Sequence, residues 1–316
     1  MRDRRGFALL AALWLLIAFS AMGLELGLRA RSQRLGIANR VEGARALAAA
    51  EGGIGEARAR LARRLSEARD FRTGDAAAML DPWRAPGLLI RDSLRVGAAH
   101  VRVRLDDVGA SLELNSASEA ELRGLFGALR IDFGQADRLA QAILDWRDPD
   151  ELRRGRGAEA ADYLRQGLAS TPGNRPFARL VELRGVLGMT DVLYARISRY
   201  LTLRGLGRVN LNAAPRPVLL ALPGMTEEAA RVLLLRRGSS RPVRGLQELA
   251  LELSAGARAL LLAGQPALEK RIEFETRTVL VTSEGRLPGS PVRARVQAEL
   301  VRATDQAIVV WMERTR

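Results

Sequence analysis

The stretch RRGFALLAALWLLIAFS, Arg4 to Ser20, decides how the rest of this 316-residue chain is read. The run stays uncharged to Leu24, so Phe7 to Leu24 gives eighteen residues without a charge. As an α-helix at roughly 1.5 Å per residue it spans about 27 Å, enough to cross a bilayer core. Arg2, Arg4 and Arg5 stand in front of it, and such a basic flank stays on the cytoplasmic side. The reading is a single-pass segment with its N-terminus inside and the remaining chain outside. Three fates fit it: a signal peptide cut near Ala18-Phe19-Ser20, a permanent anchor, or a short leader removed ahead of an apolar run that stays attached.

More helix follows. Apolar positions recur at Val41, Ala44, Ala48, Ile54, Ala57, Leu61 and Leu65, mostly three or four residues apart or sums of these, which predicts an amphipathic helix. A signal peptide has no reason to continue in this way. Arg-Arg-Gly-Phe before an aliphatic run resembles the leader of type IV prepilins and secretion pseudopilins. ARALAAAEGGIGEARARL (44–61) likewise resembles the pilin-family helix that leaves the membrane and packs on a head. The resemblance implies cleavage between Gly6 and Phe7.

Composition narrows the function. Cysteine is absent, which excludes disulfides and thiol chemistry. Net charge is +14, and Lys270 is the only lysine. The arginines are scattered along the chain without a long basic block, the pattern of a solvated surface, and no nucleic-acid partner is expected. His100 is the sole histidine and lies on a predicted strand. No nucleophile with its base and no phosphate cradle accompanies the carboxylates, so the chain reads as a non-enzyme.

The interior repeats itself. LELNSASEAELRGL (112–125) matches VNLNAAPRPVLLAL (209–222) at an offset of 97, and RPFARLVEL (175–183) matches RPVRGLQEL (241–249) at 66. The first copy therefore carries about thirty extra residues between its halves. Each half reads as a pair of short helices, with Asn115, Ser116 and Asn212 at N-cap positions and Glu119 and Glu121 in a first turn. LPGMTEEAA (222–230) reads as a helix stop, a Gly turn and a Thr N-cap, and resembles a helix-hairpin-helix (SAM-like) module. That makes membrane-anchored, competence-type DNA binding the rival function. Against it, the turn reads Pro-Gly-Met-Thr where phosphate-gripping versions carry Gly-x-Gly.

On either side the period becomes two: HVRVRLDDV (100–108), RIEFETRTVLV (271–281), PVRARVQAEL (291–300) and AIVVWMER (307–314), with GRLPGS (285–290) as a turn. One strand before the helices and three after predict an α+β fold in which an all-α domain interrupts an antiparallel sheet. The expected divisions are a leader 1–6, a membrane segment 7–28, an extended helix 29–70, an α/β head from 71–111 and 266–316, and an inserted helical domain 112–265.

LNSASEAEL, AILDWRDPD, GAEAADYL, NRPFARLVELRGVLGM and RVNLNAAPRPVLLALPGM, in that order, resemble the minor pseudopilin K family of type II secretion systems across nearly the whole chain. The resemblance implies a pilin-like head and a place at the tip of a short pseudopilus that helps to initiate and cap its assembly for export of folded proteins. Implied partners are the I, J and H types of minor pseudopilin, the prepilin peptidase, the inner-membrane secretion platform and inner-membrane lipid. The implied location is the inner membrane, with the N-terminus cytoplasmic and the head periplasmic. Ordinary pseudopilins keep a glutamate at the fifth mature position, where it neutralises a neighbour's amine; here that position is Ala11, as suits a subunit with none above it.

One loop offers a chemical site. Asp145, Asp148, Asp150 and Glu151 precede RRGRG, and Glu159 and Asp162 follow it. Such spacing allows carboxylates to converge on a hard cation. It equally fits a solvated loop whose acids pair with Arg147, Arg153, Arg154 and Arg156, and it matches no EF-hand. The resemblance implies structural calcium in this region. The family's Gly-Ala-Glu-Asp-Asp-Tyr reads GAEAADY here, with Ala160 and Ala161 inside it, which puts a second ion in doubt.

Overall fold

The computed structural model describes residues 3–70, 91–168, 171–239, 241–303 and 307–315. The expected start of the head, 71–90, lies outside the described residues, as do Met1 and Arg2 of the expected leader. Helix α1 runs Asp3–Asp70 without interruption. One continuous helix therefore joins the apolar segment to the head, and its span from Ala12 is long and apolar enough to cross a membrane.

The head is a five-stranded antiparallel sheet in the order β1-β2-β7-β8-β9. The strands are β1 (Arg91–Val96), β2 (Ala99–Asp107), β7 (Thr278–Arg286), β8 (Arg293–Arg302) and β9 (Ala307–Thr315). Val101, Val103, Val279, Val281, Val296, Ala298 and Leu300 alternate onto one face and bury against Ala49, Ala50, Ile54, Ala57 and Leu61 of α1. The stripe facing the sheet is Gly43, Ala46, Ala50, Gly53, Ala57 and Leu61, while Val41, Ala44 and Ala48 are exposed. The expected stripe holds at Ile54, Ala57 and Leu61 and differs only before them, where Gly43, Ala46 and Ala50 face the sheet in place of Val41, Ala44 and Ala48. A Cβ at Gly53 would lie 2.7 Å from Val101 Cγ1.

Two further differences concern strands. A hairpin, not a single strand, precedes the helices: β1 pairs with β2 around Gly97, whose φ is +57°. RIEFETRTVLV is split, with β6 (Ile272–Glu273) pairing in parallel with β5 (Val209–Asn210) and only the later part joining the main sheet. The break lets Thr276 turn inward and donate to Asp107 Oδ2 at 2.6 Å, where Asn210 Nδ2 also donates at 2.8 Å. This buried knot ties the sheet to the helical block.

Between β2 and β7 the chain forms two copies of one pattern. β3 (Leu112–Glu113) pairs in parallel with β4 (Leu201–Thr202), as β5 pairs with β6. The first copy contains α2 (Glu119–Ala128), α3 (Phe133–Arg147), α4 (Ala160–Arg165) in the insert, and α5 (Asp191–Ile197); the second contains α6 (Arg216–Leu219), α7 (Glu227–Gly238), α8 (Leu246–Leu251) and α9 (Ala255–Leu268). The last helix thus passes the expected limit at 265. Asn115 and Asn212 are not N-caps. Asn115 exchanges hydrogen bonds with the backbone of Phe177 (3.1 and 2.8 Å), and Asn212 does the same with Val243 (2.8 and 2.8 Å). The offsets of 97 and 66 thus meet in one clasp. Ser118 caps α2 in a capping box with Glu121, and Thr226 caps α7 as expected. Arg147 Nη2 donates to Ala117 O at 2.5 Å, and Arg237 Nη1 donates to the equivalent Ala214 O at 3.2 Å.

Candidate functional site

The acidic loop grows from the C-terminal end of α3. Trp146 anchors it, stacked on Phe177 with ring centroids 6.1 Å apart and tilted against Tyr163 at 5.8 Å. The neighbouring Asp145 is driven inward and is fully buried. Arg154 answers it: Nη1 donates to Asp145 Oδ1 at 2.7 Å, the same group pairs with Asp148, and the Arg154 backbone N–H reaches Asp145 at 3.3 Å. Burial pushes the Asp145 carboxyl above its ordinary range, opposed by these Arg154 contacts. Gly157 passes so close that a Cβ would overlap Asp145 Oδ2.

Glu159 completes this group. It is buried, and neither carboxylate oxygen has a hydrogen-bond partner among the described residues; Asp148 Oδ1 shares that condition. Burial, then Asp145, Asp148, Glu151 and Asp150 in turn, push Glu159 up to about 7. The loop therefore concentrates more negative charge than Arg154 neutralises. Orphaned carboxylate oxygens of this kind fit a hard cation.

The other expected ligands point elsewhere. Asp150 Oδ1 accepts the Leu152 N–H at 2.8 Å, and Glu151 accepts from Asn174 Nδ2 at 2.9 Å. Asp162 accepts the Glu159 N–H at 3.0 Å and pairs with Arg165. No three carboxylates among the described residues form a ready-made cation cage. The expected six-fold convergence is not formed among the described residues: a turn, Asn174 and Arg165 satisfy Asp150, Glu151 and Asp162, Arg154 bridges Asp145 and Asp148, and Glu159 is left with both oxygens unpartnered. Gly157 and the Trp146 clamp escaped sequence reasoning; the only signal for them was a glycine and an aromatic flanking the acids.

At the other end, the backbone of α1 is helical through Gly6, Phe7 and Ala11. Their side chains lie outside the described residues. The hairpin turn of the second copy is covered: a Cβ at Gly224 would lie 2.8 Å from Leu260 O and 3.1 Å from Gly264 Cα of α9.

A family model described as type II secretion system (T2SS), protein K matches residues 102–205, from β2 through the first helical copy and its insert. The type II secretion system protein K of Aeromonas hydrophila is 30% identical over 218 residues, 64% of this chain and 61% of that protein. Over these stretches the chain is similar to the type II secretion system protein K family. The K protein of Dickeya chrysanthemi is 32% identical over 105 residues, 33% of this chain and 28% of that one. The matched stretches thus span between about a quarter and three-fifths of these K proteins. In fold, a chain in the crystal structure of the GspK-GspI-GspJ complex from enterotoxigenic Escherichia coli superposes with a TM-score of 0.59 at 17% identity, covering 91% of this chain and 99% of that one. The K-family match includes the acidic loop.

Proposed function

We propose that this chain is a minor pseudopilin of a type II secretion system that sits at the pseudopilus tip and helps to initiate and cap its assembly. The observation that carries this reading is the family match at residues 102–205, placed on a head that hangs from one uninterrupted helix. Prepilin peptidase would cut after Gly6, the apolar helix would hold the chain in the inner membrane beside the secretion platform, and the head would face the periplasm. Partners would be the I, J and H types of minor pseudopilin, since the K-like fold occurs in a complex with GspI and GspJ. The helical copies would act as a SAM-like scaffold rather than as a DNA reader or a catalyst: the family match is to a secretion protein, and α9 packs against the hairpin turn of the second copy. Calcium would be structural, held by Asp145, Asp148 and Glu159, and would supply the positive charge that this buried group lacks.

Affinity isolation of the tagged full-length protein from membranes of secreting cells tests the proposal. Co-isolation of the other minor pseudopilins in fixed ratio is expected. Recovery of the protein without them contradicts it, and steeply salt-dependent binding of duplex DNA would revive the competence reading.

A further inference from the structure

The face of the sheet turned away from α1 carries a row of basic residues. The ladder aligns Arg95 of β1 with His100 of β2, His100 with Arg286 of β7, and Arg286 with Arg293 of β8. Directly paired residues share a face, and strands are roughly 4.8 Å apart. Three arginines and the sole histidine therefore cross four strands in line, with no acid in the row. The next row on the same face holds Ser93, Arg102, Glu284, Arg295 and Thr315. Its single glutamate is taken by Arg295 at 2.9 Å. Arg95, Arg102, Arg286 and Arg293 are exposed, and none of them has an ion pair or hydrogen bond among the described residues.

Like charges directly opposite one another destabilise a sheet, so this row does not serve folding. We infer that the outer sheet face is a docking surface for an acidic helix of another polypeptide, laid across the strands. Carboxylates at i, i+4 and i+7 on one helix face are about 5–6 Å apart per step, close to the strand spacing, so three of them reach three adjacent members of this four-residue row. Height decides between polypeptide and lipid. Gly285, beside Arg286, packs against Ala46 and Ala50 of α1. From the end of the expected membrane segment at Leu28 to Ala46 the helix rises roughly 27 Å, against a headgroup layer of about 5–8 Å. The row stands clear of the membrane. Only this height argument rests on the membrane-anchored reading.

The test uses the full-length protein in phosphatidylcholine nanodiscs and two fluorescent helical peptides of equal composition, one with three glutamates at i, i+4 and i+7, the other with them spread around the helix. Anisotropy should show the patterned peptide binding at least tenfold tighter. Arg286→Gln with Arg293→Gln should abolish that preference and leave the melting temperature unchanged or higher, while Arg241→Gln, elsewhere on the surface, should preserve it. Equal affinity for both peptides, equal loss with Arg241→Gln, or a melting temperature several degrees lower in the double variant overturns the inference. So does loss of peptide binding in phosphatidylglycerol nanodiscs, where headgroups would hold the arginines. None of these outcomes touches leader cleavage or co-isolation with pseudopilins, so this inference can fail while the pseudopilin reading stands.

Discussion

Asp145 and Gly157 touch: the carboxylate of the first occupies the space where a Cβ on the second would be. Asp145 is the fully buried member of the acidic group, and the Gly157 backbone is what allows the loop to close over it.

Gly157→Ala is therefore expected to displace the carboxylate, destabilise the protein by about 1–3 kcal/mol as overpacked sites do, and remove its response to calcium. Calorimetry of wild type should show a higher transition with calcium than with chelator, since a ligand that binds the native state raises it. If wild type melts identically in both, the loop is an acidic surface held by Arg154 and no ion belongs there.

The clasp residues give a second prediction. Asn212 is 7% exposed and also donates to Phe274 O at 2.8 Å. Asn212→Ala leaves the Val243 N–H and two carbonyls without partners, at about 1–3 kcal/mol for each buried group. Urea unfolding should show Asn212→Ala destabilised by about 3 kcal/mol or more, and by more than Asn115→Ala, whose clasp is part-buried. Equal and small effects would mean that the clasp does not join the halves of each copy.

These clasps also show what the sequence made legible and what it did not. The offsets of 97 and 66 named Asn115, Asn212, Phe177 and Val243 as equivalent, but read asparagine as a helix cap, because capping is local and the true partners lie 62 and 31 residues away. The helix stripe was legible at Ile54, Ala57 and Leu61 but not at its glycines: hydropathy ranks Val41 above Gly53, whereas close approach to Val101 requires the glycine. Two-residue strands such as Val209–Asn210 are too short for any period to register. In the acidic loop all six acids were visible, yet which of them keep unpartnered oxygens depends on Arg154 and on local turns. Scattered arginines read as solvated surface, and Arg286 and Arg293 are indeed exposed; that they stand side by side is visible only in the strand register.

A pH effect should come from the junction of sheet and helical block. Burial first, then Asp107, pushes Glu273 from its ordinary 4.5 up to about 7, partly offset by Arg277 and Arg208, with Glu275 adding to the rise; burial also raises Asp107. A raised carboxyl contributes stability that is fully present below about pH 4.5 and lost as pH climbs through about 7. Between those limits wild type should lose up to about 3 kcal/mol relative to Glu273→Gln, with Asp107 adding a residual slope to both. Melting curves from pH 4.5 to 8 check this; parallel curves for the two proteins would refute it.

Ala11 tests the tip position. An acid there would face no neighbour's amine, and would stay protonated or cost on the order of 2–3 kcal/mol in the bilayer. Ala11→Glu should leave leader processing intact, bring no gain in secretion and slightly impair crosslinking to the other minor pseudopilins. A clear gain in both would move the subunit from the tip into the shaft.

The most direct measurement for the whole account is the mass and N-terminal sequence of the mature protein from membranes of secreting cells. A chain that begins at Phe7, with the apolar helix still attached, is the predicted result. A chain that begins at Ala21, or that retains residues 1–6, would contradict the pseudopilin reading.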